Sequence, residues 1–325
     1  MLRSTPGSSD PRQTPLLRST PDTPPTERDR AVVLSAVRMR LLSYQHLLRS
    51  DFAGVQPSVV SRRMRQLEHL GWVTRWEERT PRGGHPRYVL PTSAAQRWAS
   101  EVFSSAATGA PYERLLKLML PRSARRPLEL TSGTIPPWLA HQRDCNHLLL
   151  SLAECPDFRI LWASSWDRPL PNEAAGVPLP QPDWVAVAEV DGTPRLVFGE
   201  HDRGFESLAH FRRAKVDRYS ALASLPDFTE ELFGFREFVV CTTVIDCLSQ
   251  NPIRRLRALS DVASEGGGRG VFAFTLGGWA HAYPERPIWF VNGELPATES
   301  VALGDHEGGG LQSGPEAFAG LRSLV

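Results

Sequence analysis

From residue 26 to about 108 the helices carry apolar positions at three- and four-residue spacing, and beyond residue 140 the pattern gives way to short apolar runs alternating with helical stretches. In Thr26-Glu27-Arg28-Asp29 a hydroxyl stands three residues ahead of a carboxylate, and Ala31, Val32, Leu34, Ala36 and Val37 follow, so a capped first helix is predicted. Ser43 caps a short second helix carrying Leu47 and Leu48. In GVQPSVVSRRMRQLEHLGWV, Pro57 suits a first helical turn, Val60, Met64, Leu67 and Leu70 keep helical spacing, and Gly71 ends the helix. A strand over 72–77, a tip rich in Pro and Gly, a returning strand over 87–90 and a helix from Thr92 complete this half.

The second half predicts a helix over 140–153, strands over 158–166, 183–190 and 195–201, a helix over 206–225, a strand over 236–243, a helix over 252–264 and a strand over 271–275. That order describes an α/β sandwich around one mixed sheet. Residues 109–140 give one helix and a Pro-rich connection, which marks the boundary between residues 26–108 and 141–292. Residues 1–25, with six Pro and the repeat LRSTP at 2–6 and 17–21, read as a disordered tail, and residues 293–325 as a second loose tail.

Charge changes the picture of the first half. The net charge of +1 conceals twelve Arg, no Lys and four acids between Arg30 and Ser100. Such a segment is either a solvated basic face or a polyanion-binding surface. The order helix, helix, helix, basic hairpin, helix favours the second reading, because it is that of a winged helix-turn-helix. Ser58, Ser61, Arg62, Arg65 and Gln66 then form the exposed side of the reading helix, and Arg75, Arg79, Arg82 and Arg87 the wing, with double-stranded DNA as the partner. Used only for protein contacts, the same fold is the alternative. Cys145, Cys155, Cys241 and Cys247 form no CxxC pair, so reduced thiols in a cytoplasmic protein without a zinc site are expected. No apolar run is long enough to span a membrane.

The Asp191-Gly192 pair suits a two-residue hairpin turn and serves as a ruler. Counting outward, 190 pairs with 193, and Asp183 comes to face Glu200. Like charges on neighbouring strands destabilise a sheet unless something positive lies between them. Carboxylate pairs of this kind suit Mg²⁺ or Mn²⁺. Period-two alternation adds Asp202 to the face of Glu200 and sends His201 to the other, as a surface or packing histidine. On the next helix, Leu208, Phe211, Lys215, Tyr219 and Leu222 share one apolar stripe. A Lys inside it either meets carboxylates or reaches along the stripe to solvent.

Pro182-Asp183 followed by Glu200-His201-Asp202 resembles the PD-(D/E)xK nuclease arrangement. More closely, Asn146-His147, Pro182-Asp183, the EHDRGFE run of 200–206, Lys215 and Tyr219, all behind a winged helix, resemble the replication-relaxation family of plasmid and mobile-element proteins over roughly residues 26–245. The resemblance implies a restriction-endonuclease-like second domain and a role in plasmid replication or DNA relaxation. This sequence departs from the nuclease pattern where Asp202 stands in place of the strand Lys. Three hypotheses follow. In one, Asp183, Glu200 and Asp202 hold a divalent ion, with Lys215 replacing the strand Lys and Tyr219 beside it. In the second, the carboxylates are tied up by Arg203 and Lys215 in a non-catalytic accessory factor, Arg203 and Glu206 otherwise pairing with each other or capping the helix. In the third, the protein is a transcription regulator. The sequence leaves its oligomeric state open.

Overall fold

The computed structural model describes residues 26–78, 85–105, 114–115, 136–153, 159–166, 170, 178–190, 192–245, 251–268, 270–278 and 290–291. The two expected tails, most of 109–140, Arg79, Arg82 and the rest of the hairpin tip, and Asp191 lie outside them.

The N-terminal elements are α1 (Glu27–Met39), β1 (Leu42–Ser43), α2 (Tyr44–Arg49), α3 (Pro57–His69), β2 (Val73–Glu77), β3 (Arg87–Pro91) and α4 (Ser93–Ser105). Thr26 and Asp29 cap α1 reciprocally, the backbone N–H of Thr26 donating to Asp29 and that of Asp29 to the Thr26 hydroxyl. The same carboxylate, fully buried, accepts from Arg63 of α3, so the cap also fixes the angle between two helices. Val32, Val33 and Ala36 of α1, with Val60, Met64 and Leu67 of α3, bury the stripes into one cluster closed by Trp72 and Val89. Sequence periodicity missed Val33, which is buried, and placed Ala31, which is exposed, on the inner side. It also missed β1, whose two residues pair with β3 and complete an antiparallel sheet in the order β1-β3-β2.

The C-terminal elements are α5 (Pro137–Ala153), β4 (Arg159–Ser165), β5 (Trp184–Val190), β6 (Thr193–Asp202), α6, α7 (Pro226–Phe233), β7 (Phe238–Val244), α8 (Pro252–Glu265), β8 (Phe272–Leu276) and β9 (Phe290–Val291). Here α6 comprises α-helical Leu208–Phe211, a π turn at Arg212–Val216 and α-helical Asp217–Ala223. The six strands form one mixed sheet in the order β4-β5-β6-β7-β8-β9, antiparallel at both ends and parallel from β6 to β8. The hairpin register is the one counted from the turn: Val190 lies opposite Thr193 and Trp184 opposite Gly199, without a bulge at Pro194. Gly192 supplies the positive φ of 74° that the tight turn requires. A bulge falls instead between Ile160 and Trp162 on β4.

Asn146 of α5 joins the two halves. Fully buried, its side-chain amide donates to the carbonyls of Met39 and Leu41 at 3.0 and 2.6 Å, satisfying the chain just after the first helix. Ser164 and Ser165 of β4 donate to the Arg38 carbonyl, and the His46 and His147 rings lie 4.2 Å apart.

Candidate functional site

Beyond the carboxyl ends of β6 and β7 lies a pocket of about 270 Å³ whose walls include His141, Asp183, Glu200, Asp202, Lys215 and Thr242. Ligand sites in α/β sheets sit beyond the carboxyl ends of parallel strands, and β6 and β7 are such a pair. A tight local fit brings the chain there. Trp184 packs its fully buried ring over Gly199, where a Cβ would come within 1.7 Å of the indole. The glycine before Glu200 therefore lets the two strands close on the tryptophan immediately beneath the acidic groups.

Asp183 ends the ladder. Its backbone N–H donates to the Gly199 carbonyl at 2.9 Å, and its carboxylate accepts the backbone N–H of His201 at 2.7 Å and Nε2 of His141 at 3.1 Å. Burial raises its pKa, but the His141 hydrogen bond, Lys215 and the His201 amide outweigh burial and hold the carboxyl below the usual range. Glu200 is buried more completely. It accepts from the Tyr219 hydroxyl at 2.7 Å and from the Lys215 ammonium, which also donates to the Gln181 carbonyl at 3.0 Å. Desolvation nevertheless prevails over Lys215, with Asp183 adding repulsion, and the Glu200 pKa rises to about 7. Lys215 itself is held above its ordinary value: its own burial opposes the charge, but Glu200 and then Asp183 more than offset it.

Lys215 lies within the π turn of α6, a distortion that recurs at functional sites. The stripe read from a uniform helix holds for Phe211, Tyr219 and Leu222, which are buried, and fails for Leu208, which is 36% exposed. Widening one turn carries Val216 inward and aims both Lys215 and Tyr219 at Glu200.

Asp202 shares the pocket wall, yet its carboxylate is engaged by Arg255 of α8 through two bonds of 2.8 and 3.0 Å, both side chains being about 5% exposed. Arg255 also donates to the Glu206 carbonyl. Sequence reading had no signal for Arg255, which lies 53 residues beyond Asp202. Arg203 and Glu206 do not pair: Arg203 approaches Asp144 and the Pro137 carbonyl, and Glu206 approaches His210 at 4.0 Å, while Ser207 caps the helix. His201 is buried but lines the same pocket as Glu200, not a separate face, with Nδ1 2.9 Å from the Thr243 hydroxyl and its ring edge-on to His141. Burial first, then His141, lowers its pKa to about 4, so the ring is neutral.

On the N-terminal half, Ser58, Arg62, Arg65 and Gln66 are exposed along α3 and Ser61 is half-buried. Gln66 accepts from Arg63. Arg87 is exposed on β3, near Glu77 and the Ser61 hydroxyl. Arg75 donates its backbone N–H and its guanidinium Nε to the Glu68 carboxylate, so it is paired within the chain rather than the open wing cation expected. Arg79 and Arg82 lie outside the described residues. No helix among the described residues is long and apolar enough to cross a membrane.

Comparison with curated proteins and with solved structures gave no match. A family model described as replication-relaxation matches residues 36–232. That stretch runs from the last turn of α1 into α7, takes in every group converging on Glu200 and covers more than half of the 325 residues, so the chain belongs to the replication-relaxation family.

Proposed function

We propose that the chain binds double-stranded DNA and serves replication or relaxation of a plasmid or mobile element in the cytoplasm, through a winged helix-turn-helix followed by a restriction-endonuclease-like domain that cleaves a phosphodiester with Mg²⁺ or Mn²⁺. The observation that carries this reading is the convergence of Asp183, just ahead of β5, Glu200 of β6 and Lys215 of α6 on one pocket. Family membership supplies the DNA context. The three-stranded sheet behind α3, with exposed Arg62 and Arg65, supports the docking surface.

The donor set fits a hard cation. Glu200 and Asp183 offer carboxylate oxygens, and the Thr242 hydroxyl, opposite Glu200 on β7, is fully buried with no protein partner. Such an ion, when bound, lowers the pKa of a water and offsets charge on the scissile phosphate. Lys215 presents a fixed ammonium beside the carboxylates, able to hold a phosphate oxygen where charge builds up. Tyr219 is a positioning residue, its hydroxyl fixing one oxygen of Glu200. Asp202, bound on both oxygens by Arg255, anchors the end of β6 in this reading.

A second reading, a DNA-binding accessory factor without catalysis, is favoured by a different observation: each of the three carboxylates already has a cationic or histidine partner within the chain. Supercoiled plasmid incubated with the protein and Mg²⁺ or Mn²⁺ separates the two. Nicking that disappears in Asp183→Ala and Lys215→Ala supports the first; intact plasmid with a retained mobility shift supports the second.

A further inference from the structure

We infer that His141, Cys145 and Asp183 form a binding site for a borderline-soft divalent metal ion of the Zn²⁺ or Co²⁺ class, on the α5 side of the pocket. The site shares Asp183 with the oxygen-only set around Glu200 but draws its other two donors from α5, and it needs no CxxC pair.

The placement follows from helix geometry. His141 and Cys145 are four residues apart on α5, so both project from one side of the helix. Asp183, the last residue before β5, meets them there, and the three donor atoms all lie within 4.8 Å of one another. Nitrogen, sulfur and carboxylate oxygen together select a transition metal over Mg²⁺ or Ca²⁺, which take oxygen alone. His141 and Asp183 line the pocket while Cys145 is buried, and three protein ligands leave a fourth position open.

Charge supports the assignment. A thiolate and a carboxylate around a divalent ion sum to zero with neutral histidine, so the ion would leave no net charge in a buried place. Binding releases the Cys145 thiol proton and any proton on His141, and nothing is oxidised or reduced.

His201 supplies a second and independent sign. The Thr243 hydroxyl has one proton and donates it to the Glu200 carbonyl at 3.2 Å, so at its contact with His201 it accepts, and Nδ1 carries the ring proton. The lone pair of His201 is therefore on Nε2, which is buried and has no protein partner. A ring with one nitrogen donating to a protein oxygen and the other bare is the arrangement metal-binding histidines adopt. The His201 ring is 95% buried, lies 5.4 Å from that of His141 and lines the same pocket.

The test uses the full chain, stripped with chelator and titrated with Co²⁺. One equivalent should produce a thiolate-to-cobalt absorption band in the near ultraviolet, displaced by Zn²⁺. Cys145→Ser should abolish the band, and His141→Gln, at a partly exposed position, should weaken Co²⁺ binding about 100-fold while leaving the far-ultraviolet circular dichroism unchanged. Glu200→Gln should leave the titration within about threefold of the parent. Absence of the band in the parent protein, or its persistence in Cys145→Ser, overturns the inference. Because the readout is spectroscopic, it succeeds or fails independently of plasmid nicking.

Discussion

Replacing Arg255 by Met tests whether Asp202 is a structural anchor. The guanidinium makes two bonds to the Asp202 carboxylate and one to the Glu206 carbonyl, with both side chains about 5% exposed. Methionine fills much of the volume but leaves a buried carboxylate and a carbonyl without donors. Removing one partner of a buried ion pair costs about 3–5 kcal/mol, because the remaining charge is uncompensated. At roughly 2–4 °C per kcal/mol for a domain of this size, thermal unfolding should fall by about 6–20 °C. Asp202→Leu alone strands the guanidinium and should cost a similar amount. The double variant Asp202→Leu/Arg255→Met removes both charges and should recover to within about 2 kcal/mol of the parent, since an apolar replacement of a buried pair is often neutral. Urea unfolding of the four proteins closes the cycle. A cost below about 1 kcal/mol for Arg255→Met, or a double variant as damaged as the sum of the singles, refutes the anchor. If the folded double variant also loses metal-dependent nicking that the parent shows, Asp202 belongs to the chemistry.

Three further outcomes follow from the same structure. Gly199→Ala drives a Cβ to within 1.7 Å of the buried Trp184 ring and should cost about 3 kcal/mol or more, read by urea unfolding and by loss of the protected Trp fluorescence. His46 accepts the Ser43 backbone N–H on Nδ1, and burial, with His147 second, lowers its pKa to about 3. Its folded-state pKa lies below the unfolded value of 6.5, so its contribution is complete above pH 6.5 and is lost as pH falls toward 3, about 2 kcal/mol by pH 5; His46→Gln should flatten the melting temperature across pH 5–7. Arg62→Ala/Arg65→Ala should weaken duplex DNA binding and reduce the slope of log affinity against log salt by about 2 in fluorescence anisotropy, whereas an unchanged slope takes α3 away from the phosphates.

What the sequence disclosed about this site was whatever short-range geometry dictates. Pairing of Val190 with Thr193 leaves one register, which carried Asp183 to the end of the ladder beside Glu200, seventeen residues away. Helical spacing likewise brought Lys215 and Tyr219 toward the sheet. It did not reveal the π turn, because widening one turn is favoured only by what it meets: Val216 moving inward and an ammonium finding Glu200. Nor did alternation say who would hold Asp202. It put that carboxylate on the correct face, but Arg255 arrives from α8, and no local pattern marks an Arg as inward-facing until the sheet order β6-β7-β8 sets α8 against it. His141 was overlooked for the same reason: its partner Asp183 is 42 residues on, and one histidine on a helix has no periodic signature. The consequence is chemical. Acids can be found from spacing, but whether each is poised or neutralised depends on cations from distant elements, and here one helix supplies Lys215 to a Glu held near pKa 7 while another locks Asp202 with Arg255. The residues that separate a reactive carboxylate from an anchored one are thus those that only the assembled sheet brings within reach.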